Sequence, residues 1–125
     1  MSLESDTRGR LNRYDALASV PIKSADIEEH AVGESSLILT YQVQYRPMFQ
    51  KIRRLVARGH SKGFTRKVEL DLLGVGVWRL IDGKNNVQTI VRRFARTHTL
   101  DIREAEVSVT LFLRSLGKKG LIGMR

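Results

Sequence analysis

Between Val68 and Gly123 the apolar residues hold one frame through three successive helical segments, and this frame constrains the fold more than any other feature. Its skeleton is Val68-x-Leu70-Asp71, Gly74, Val77-Trp78, Ile81-Asp82-Gly83, Val87, Ile90-Val91 and Phe94, then Val109, Phe112-Leu113, Leu116 and Gly120-Leu121-Ile122-Gly123. Asp71 is placed to cap a first helix that runs to about Ile81 and carries Leu73, Val77, Trp78 and Ile81 at helical spacing. Gly74 and Gly76 weaken that helix by roughly 1 kcal/mol each relative to alanine, which points to close approach of a neighbouring backbone as their use. Asp82-Gly83 is a stop and a turn. A second helix starts after Asn86, with Val87, Ile90, Val91, Phe94 and Ala95 inward and Arg92, Arg93 and Arg96 outward. The third opens on Asp101-x-x-Glu104, a capping-box pattern that puts negative charge at the positive end of the helix dipole. Its inward stripe is Ala105, Val109, Phe112, Leu113 and Leu116; Gly117 and Gly120 close it, and Leu121-Ile122 return as a short extended tail.

Upstream of this frame the period changes from 3.6 to 2. Leu37, Leu39, Tyr41, Val43 and Tyr45 alternate with Thr40, Gln42, Gln44 and Arg46, the pattern of a half-buried strand. Asp26 to Val32 is its hairpin partner across the turn Gly33-Glu34-Ser35. Phe64 to Leu70 alternates again, with Phe64, Val68 and Leu70 on one face and Thr65, Lys67 and Glu69 on the other. It is expected to pair with the 37–45 strand. Residues 1–24 read as an N-terminal arm, where Leu11, Tyr14 and Ala18 could form a helical stripe that Pro21 ends. The domain proper then covers residues 25–125, interrupted by an insert at 46–63.

That insert is basic and amphipathic. After Pro47, the residues Met48, Phe49, Ile52, Leu55 and Val56 gather on one side of a helical projection, and Lys51, Arg53, Arg54 and Arg58 cover the rest. Residues 46–67 hold eight basic side chains and no acidic one, so most of the chain's net charge of +9 sits in one short segment. Such a segment either packs its stripe on the sheet with a solvated charged face, lies on an anionic membrane surface through residues 47–58, or contacts a nucleic acid or acidic partner. Lys51, Arg53, Arg54 and Arg58 are the candidate contacts in the last two cases.

The 125 residues make one domain with a modest core. The absence of cysteine excludes a disulfide framework, cysteine-ligated zinc and thiol catalysis. No apolar run approaches the roughly 18 residues of a membrane span, and no signal-peptide core is present, so the expected location is the cytoplasm. His30, His60 and His98 lack metal-ligand spacing. Gly74-x-Gly76 lacks the third glycine of a dinucleotide fingerprint, and Gly83-Lys84 is not a phosphate loop. With no nucleophile motif either, the sequence reads as a binding protein without catalytic residues, metal or cofactor.

The far side of the third helix, opposite its inward stripe, carries Arg103, Val107, Thr110, Leu111 and Arg114. Two apolar residues at i, i+4 between arginines are either scattered surface residues or covered by the arm, or they floor a groove. In the last case the groove fits a short peptide with apolar anchors and acidic flanks.

The strand ending in Leu70-Asp71, with Gly74, Trp78, Ile81-Asp82-Gly83, Val87, Ile90-Val91, Phe112-Leu113, Leu116 and Gly120-Leu121-Ile122, resembles the PqqD family over about residues 64–123. These are the small proteins of pyrroloquinoline quinone biosynthesis and the wider recognition elements of ribosomal peptide modification. The resemblance implies an α+β fold, a three-stranded antiparallel sheet followed by a three-helix, winged-helix-like bundle. It also implies a task without catalysis: holding the leader of a precursor peptide and presenting it to a modifying enzyme, typically of the radical S-adenosylmethionine type. In that family the leader adds to the third sheet strand and lies against the third helix. Carried onto this chain, that means the edge Arg66, Val68 and Leu70 and the wall Arg103, Val107, Leu111 and Arg114. The basic insert and the longer arm mark a divergent member. The other reading of the same elements is a winged-helix DNA-binding protein, favoured by the net charge and by Arg92, Arg93 and Arg96.

Overall fold

The computed structural model describes residues 13–43 and 64–125, which fall into two compact units. One holds residues 25–43 and 64–72, and the other joins residues 13–24 to 73–125.

The first unit is a three-stranded antiparallel sheet built from β2 (Glu28–Val32), β3 (Ser36–Val43) and β4 (Phe64–Leu70), in that spatial order. Gly33 turns the β2–β3 hairpin at φ +70°, a conformation that suits glycine because it has no Cβ to clash. Strands β3 and β4 pair from Leu37 opposite Leu70 to Val43 opposite Phe64. The alternation read from the sequence becomes burial: Leu37, Leu39 and Tyr41 are buried on one face of β3, and Gln42 is exposed on the other. Val68 stands opposite Leu39, and Leu70 opposite Leu37, so both share that face. Every residue of β2 is exposed. The basic insert, residues 46–63, lies outside the described residues.

The second unit is helical. Its elements are α1 (residues 13–18), β1 (Pro21–Lys23), α2 (Leu72–Leu80, which begins one residue before the unit does), α3 (Val87–His98), α4 (Ile102–Lys118) and β5 (Ile122–Met124). Four helices are thus present among the described residues, where the sequence frame and the family resemblance both indicate three. The addition is α1, which falls in the segment that the sequence reads as an arm. Its half-buried residue is Leu17, while Tyr14 of the expected stripe is 65% exposed. The tail after α4 is a strand: β5 pairs antiparallel with β1, Ile22 opposite Gly123, and Val20 and Arg125 exchange backbone hydrogen bonds of 3.0 and 2.9 Å. A three-residue pairing of segments a hundred positions apart leaves no periodic signal.

Local chemistry explains the helix ends. The Asn86 side chain accepts from the Thr89 N–H at 2.8 Å and caps α3. Asp101 caps α4 by accepting from the Arg103 N–H, but the Glu104 side chain makes no hydrogen bond among the described residues, so only half of the expected capping box forms. Gly117 is inside α4 rather than beyond it. The stop is Gly120 at φ +77°, whose N–H reaches the Gly117 carbonyl while the Leu121 N–H reaches that of Leu116. That pair of bonds is a Schellman motif.

The core of this unit matches the predicted stripes. Trp78, Val87, Ile90, Phe94, Ala105, Val109, Leu113, Leu116 and Leu121 are all buried. Two residues depart from the predicted stripes: Phe112 is only half-buried, and Leu73 is 47% exposed. At 100° per residue the centre of the α2 core face, set by Val77, Trp78 and Ile81, falls on Gly74, and Leu73 lies about a quarter-turn away. Trp78 is fully buried with its Nε1 unpartnered among the described residues, and Lys23 Nζ sits 4.4 Å from the ring centroid in cation–π contact.

Candidate functional site

Helix α4 buries one stripe and leaves the opposite one apolar. Val107 and Leu111 are 57% and 56% exposed, one turn apart, and Arg103 and Arg114 stand exposed at either end of the pair. Neither arginine forms an ion pair or side-chain hydrogen bond among the described residues. Thr110, between the two apolar residues, turns its hydroxyl back to the Glu106 carbonyl at 2.7 Å, which takes its polarity away from the outer surface. The result is an apolar strip with uncompensated positive charge at both ends. It can seat aliphatic or aromatic side chains and attract carboxylates flanking them.

In the sheet unit, β4 is an edge strand, with β3 on one side and no partner on the other among the described residues. Half of its backbone N–H and C=O groups therefore point away from β3, which is the template an added strand uses. Of the three positions assigned to this edge, Arg66 is exposed, Val68 half-buried and Leu70 buried at 3% exposure. Leu70 can thus offer only its backbone to an incoming strand. Arg66 and Lys67 make the edge basic, and neither has an ion-pair partner among the described residues.

Lys51, Arg53, Arg54 and Arg58, together with the membrane-surface segment 47–58, lie outside the described residues. Of the histidines, His30 is exposed on β2, 3.6 Å from Glu28, and His98 packs its ring at 4.6 Å from that of Phe94. Among the described residues no cluster of three His, Asp or Glu side chains could hold a metal ion. No helix among them is long and apolar enough to cross a membrane.

A second exposed apolar pair, Leu72 and Leu73, escapes the sequence reading. Its signal is the glycine at 74: a helix whose core face is centred on glycine turns the preceding leucines outward.

The family model described as coenzyme PQQ synthesis protein D (PqqD) matches residues 53–122, more than half of the chain. No curated protein and no solved structure matches it.

Proposed function

Since this chain belongs to the PqqD family, whose members are non-catalytic peptide-binding partners in PQQ synthesis, we propose that it holds the leader of a precursor peptide and presents it to a modifying enzyme. The observation that carries this reading is the outer strip of α4, where Val107 and Leu111 lie exposed between two arginines that have no ion-pair partner among the described residues. The open edge of β4 supports it, because strand addition supplies sequence-tolerant backbone hydrogen bonds and leaves selectivity to side-chain anchors. The proposed contacts are Arg66, Val68 and Leu70 on the sheet and Arg103, Val107, Leu111 and Arg114 on α4. The proposed enzyme partner is of the radical S-adenosylmethionine type, and the helical unit with its β1–β5 ribbon is read as winged-helix-like.

Capture of the tagged full chain from nuclease-treated lysate of its native host, followed by mass spectrometry, tests this. A short peptide recovered with the wild type and lost with Leu111→Asp is the expected result. Recovery of no peptide, or of the same peptide with both proteins, refutes the reading.

DNA binding is the second reading, favoured by Arg92, Arg93 and Arg96, exposed on α3 with no ion pair among the described residues. Against it, α4 presents Val107 and Leu111 where a recognition helix would present polar, base-reading side chains. DNA retained without nuclease and released between about 50 and about 200 mM salt, with no peptide recovered, would replace the peptide reading.

A further inference from the structure

The helical unit contains a cleft of about 330 Å³ between α1 and the first turns of α3 and α4. Two ties brace it. The Arg13 guanidinium donates to both carboxylate oxygens of Glu106, at 3.0 and 3.2 Å, joining α1 to α4. At the other end of α1, the Val87 N–H donates to the Ser19 carbonyl at 2.9 Å, joining the following turn to α3. Bracing of this kind holds a cleft in shape before anything enters it.

Its lining is apolar at the base and asymmetric in charge. Val91 is buried, Leu17 half-buried, and Tyr14 and Ile102, both at least half exposed, wall the opening. Arg13 is neutralised by Glu106. Arg92, also in the lining, has no ion pair or hydrogen-bonded partner among the described residues, and α3 carries no acidic residue to supply one. The cleft thus offers room for an apolar group beside one uncompensated guanidinium. Ile102 and Glu106 lie about two-fifths of a turn around α4 from Val107 and Leu111, so this is a different face from the strip assigned to the leader. Tyr14, Leu17 and Ala18 also precede the segment that matches the family, which begins at residue 53.

We propose that this cleft is a binding site for an apolar group bearing one carboxylate, with Arg92 pairing the carboxylate and Tyr14, Leu17, Val91 and Ile102 enclosing the apolar body. The same chemistry has two sources, a free aryl or alkyl acid and the C-terminal residue of a peptide. The site does not depend on the leader reading.

Titration of the ¹⁵N-labelled full chain with 3-phenylpropionate and with a tetrapeptide ending in Phe, each beside its uncharged amide, tests the proposal. Saturable shifts at Tyr14, Gln88, Arg92 and Ile102 are expected, with Val107 and Leu111 unmoved. The amides and the exposed-site variant Arg92→Gln should bind at least about tenfold more weakly, the size expected for loss of a charge-assisted hydrogen bond. Ala18→Phe, which fills the opening from an exposed position, should abolish the shifts, and Leu111→Asp should leave them unchanged. Response to the free acid alone identifies a small-molecule site, and response to the tetrapeptide alone a peptide terminus. No saturable shift with either probe, or equal binding by the amides or by Arg92→Gln, overturns the proposal.

Discussion

Leu111 and Leu113 lie two positions apart on α4, and the proposed function assigns them opposite jobs. Leu113 is 2% exposed and Leu111 is 56% exposed. Truncating Leu113 to alanine removes buried methyl groups and opens a cavity, so Leu113→Ala should destabilise the fold by about 2–5 kcal/mol. Leu111→Ala should change stability far less, because water already reaches more than half of the side chain. Binding should respond in reverse. If a leader covers the exposed part of Leu111, that burial is worth roughly half of a leucine's full transfer value, or about 1–1.5 kcal/mol. Leu111→Ala should therefore weaken peptide affinity about five- to tenfold. Leu111→Asp also places a carboxylate against an apolar anchor, and about a hundredfold loss or more is expected. Trp78 is the chain's single tryptophan and is fully buried, so denaturant unfolding followed by its fluorescence reports stability cleanly. Calorimetric titration with the captured peptide reports affinity. The reasoning fails if Leu111→Asp binds like wild type, or if folded Leu113→Ala loses as much affinity as Leu111→Ala.

Three further outcomes follow from local geometry. Gly117→Ala should stabilise α4 by about 0.5–1 kcal/mol, since nothing lies within 4 Å of the new methyl, whereas Gly120→Ala should destabilise by about 1–2 kcal/mol because φ there is +77°; urea midpoints of the two variants separate the signs. Gly76→Ala brings a methyl to 3.2 Å from His98 Nε2, so the helix-propensity gain of about 1 kcal/mol should appear fully only in a His98→Ala background, as a double-mutant cycle would read. Asp82 accepts backbone hydrogen bonds from Asn85 and Lys84, which hold its carboxyl below the ordinary value of 3.8. Its folded pKa is depressed, so its contribution to stability is complete above 3.8 and is lost as pH falls through the lower folded value. Asp82→Ala should accordingly flatten the acid limb of the stability–pH curve and leave its neutral-to-basic limb in shape.

The amino-acid pattern by itself determined the class of the fold and most of its core. Period-2 alternation in 37–43 and period-3.6 stripes in α3 and α4 leave each element one way to hide its apolar surface, and caps such as Asn86 and Gly120 act within a few residues of where they sit. The apolar strip Val107–Leu111 was legible for the same reason, as a surplus on a face that the core stripe had no use for. Only the tertiary structure decided the rest. The turning of Leu73 outward depended on where the short α2 packs. The β1–β5 ribbon, the Arg13–Glu106 bridge and the cleft around Arg92 all join residues on both sides of the sheet segment, roughly 70 to 100 positions apart. Contacts at that separation arise from chain folding rather than from local preference, so periodicity and spacing carry no trace of them.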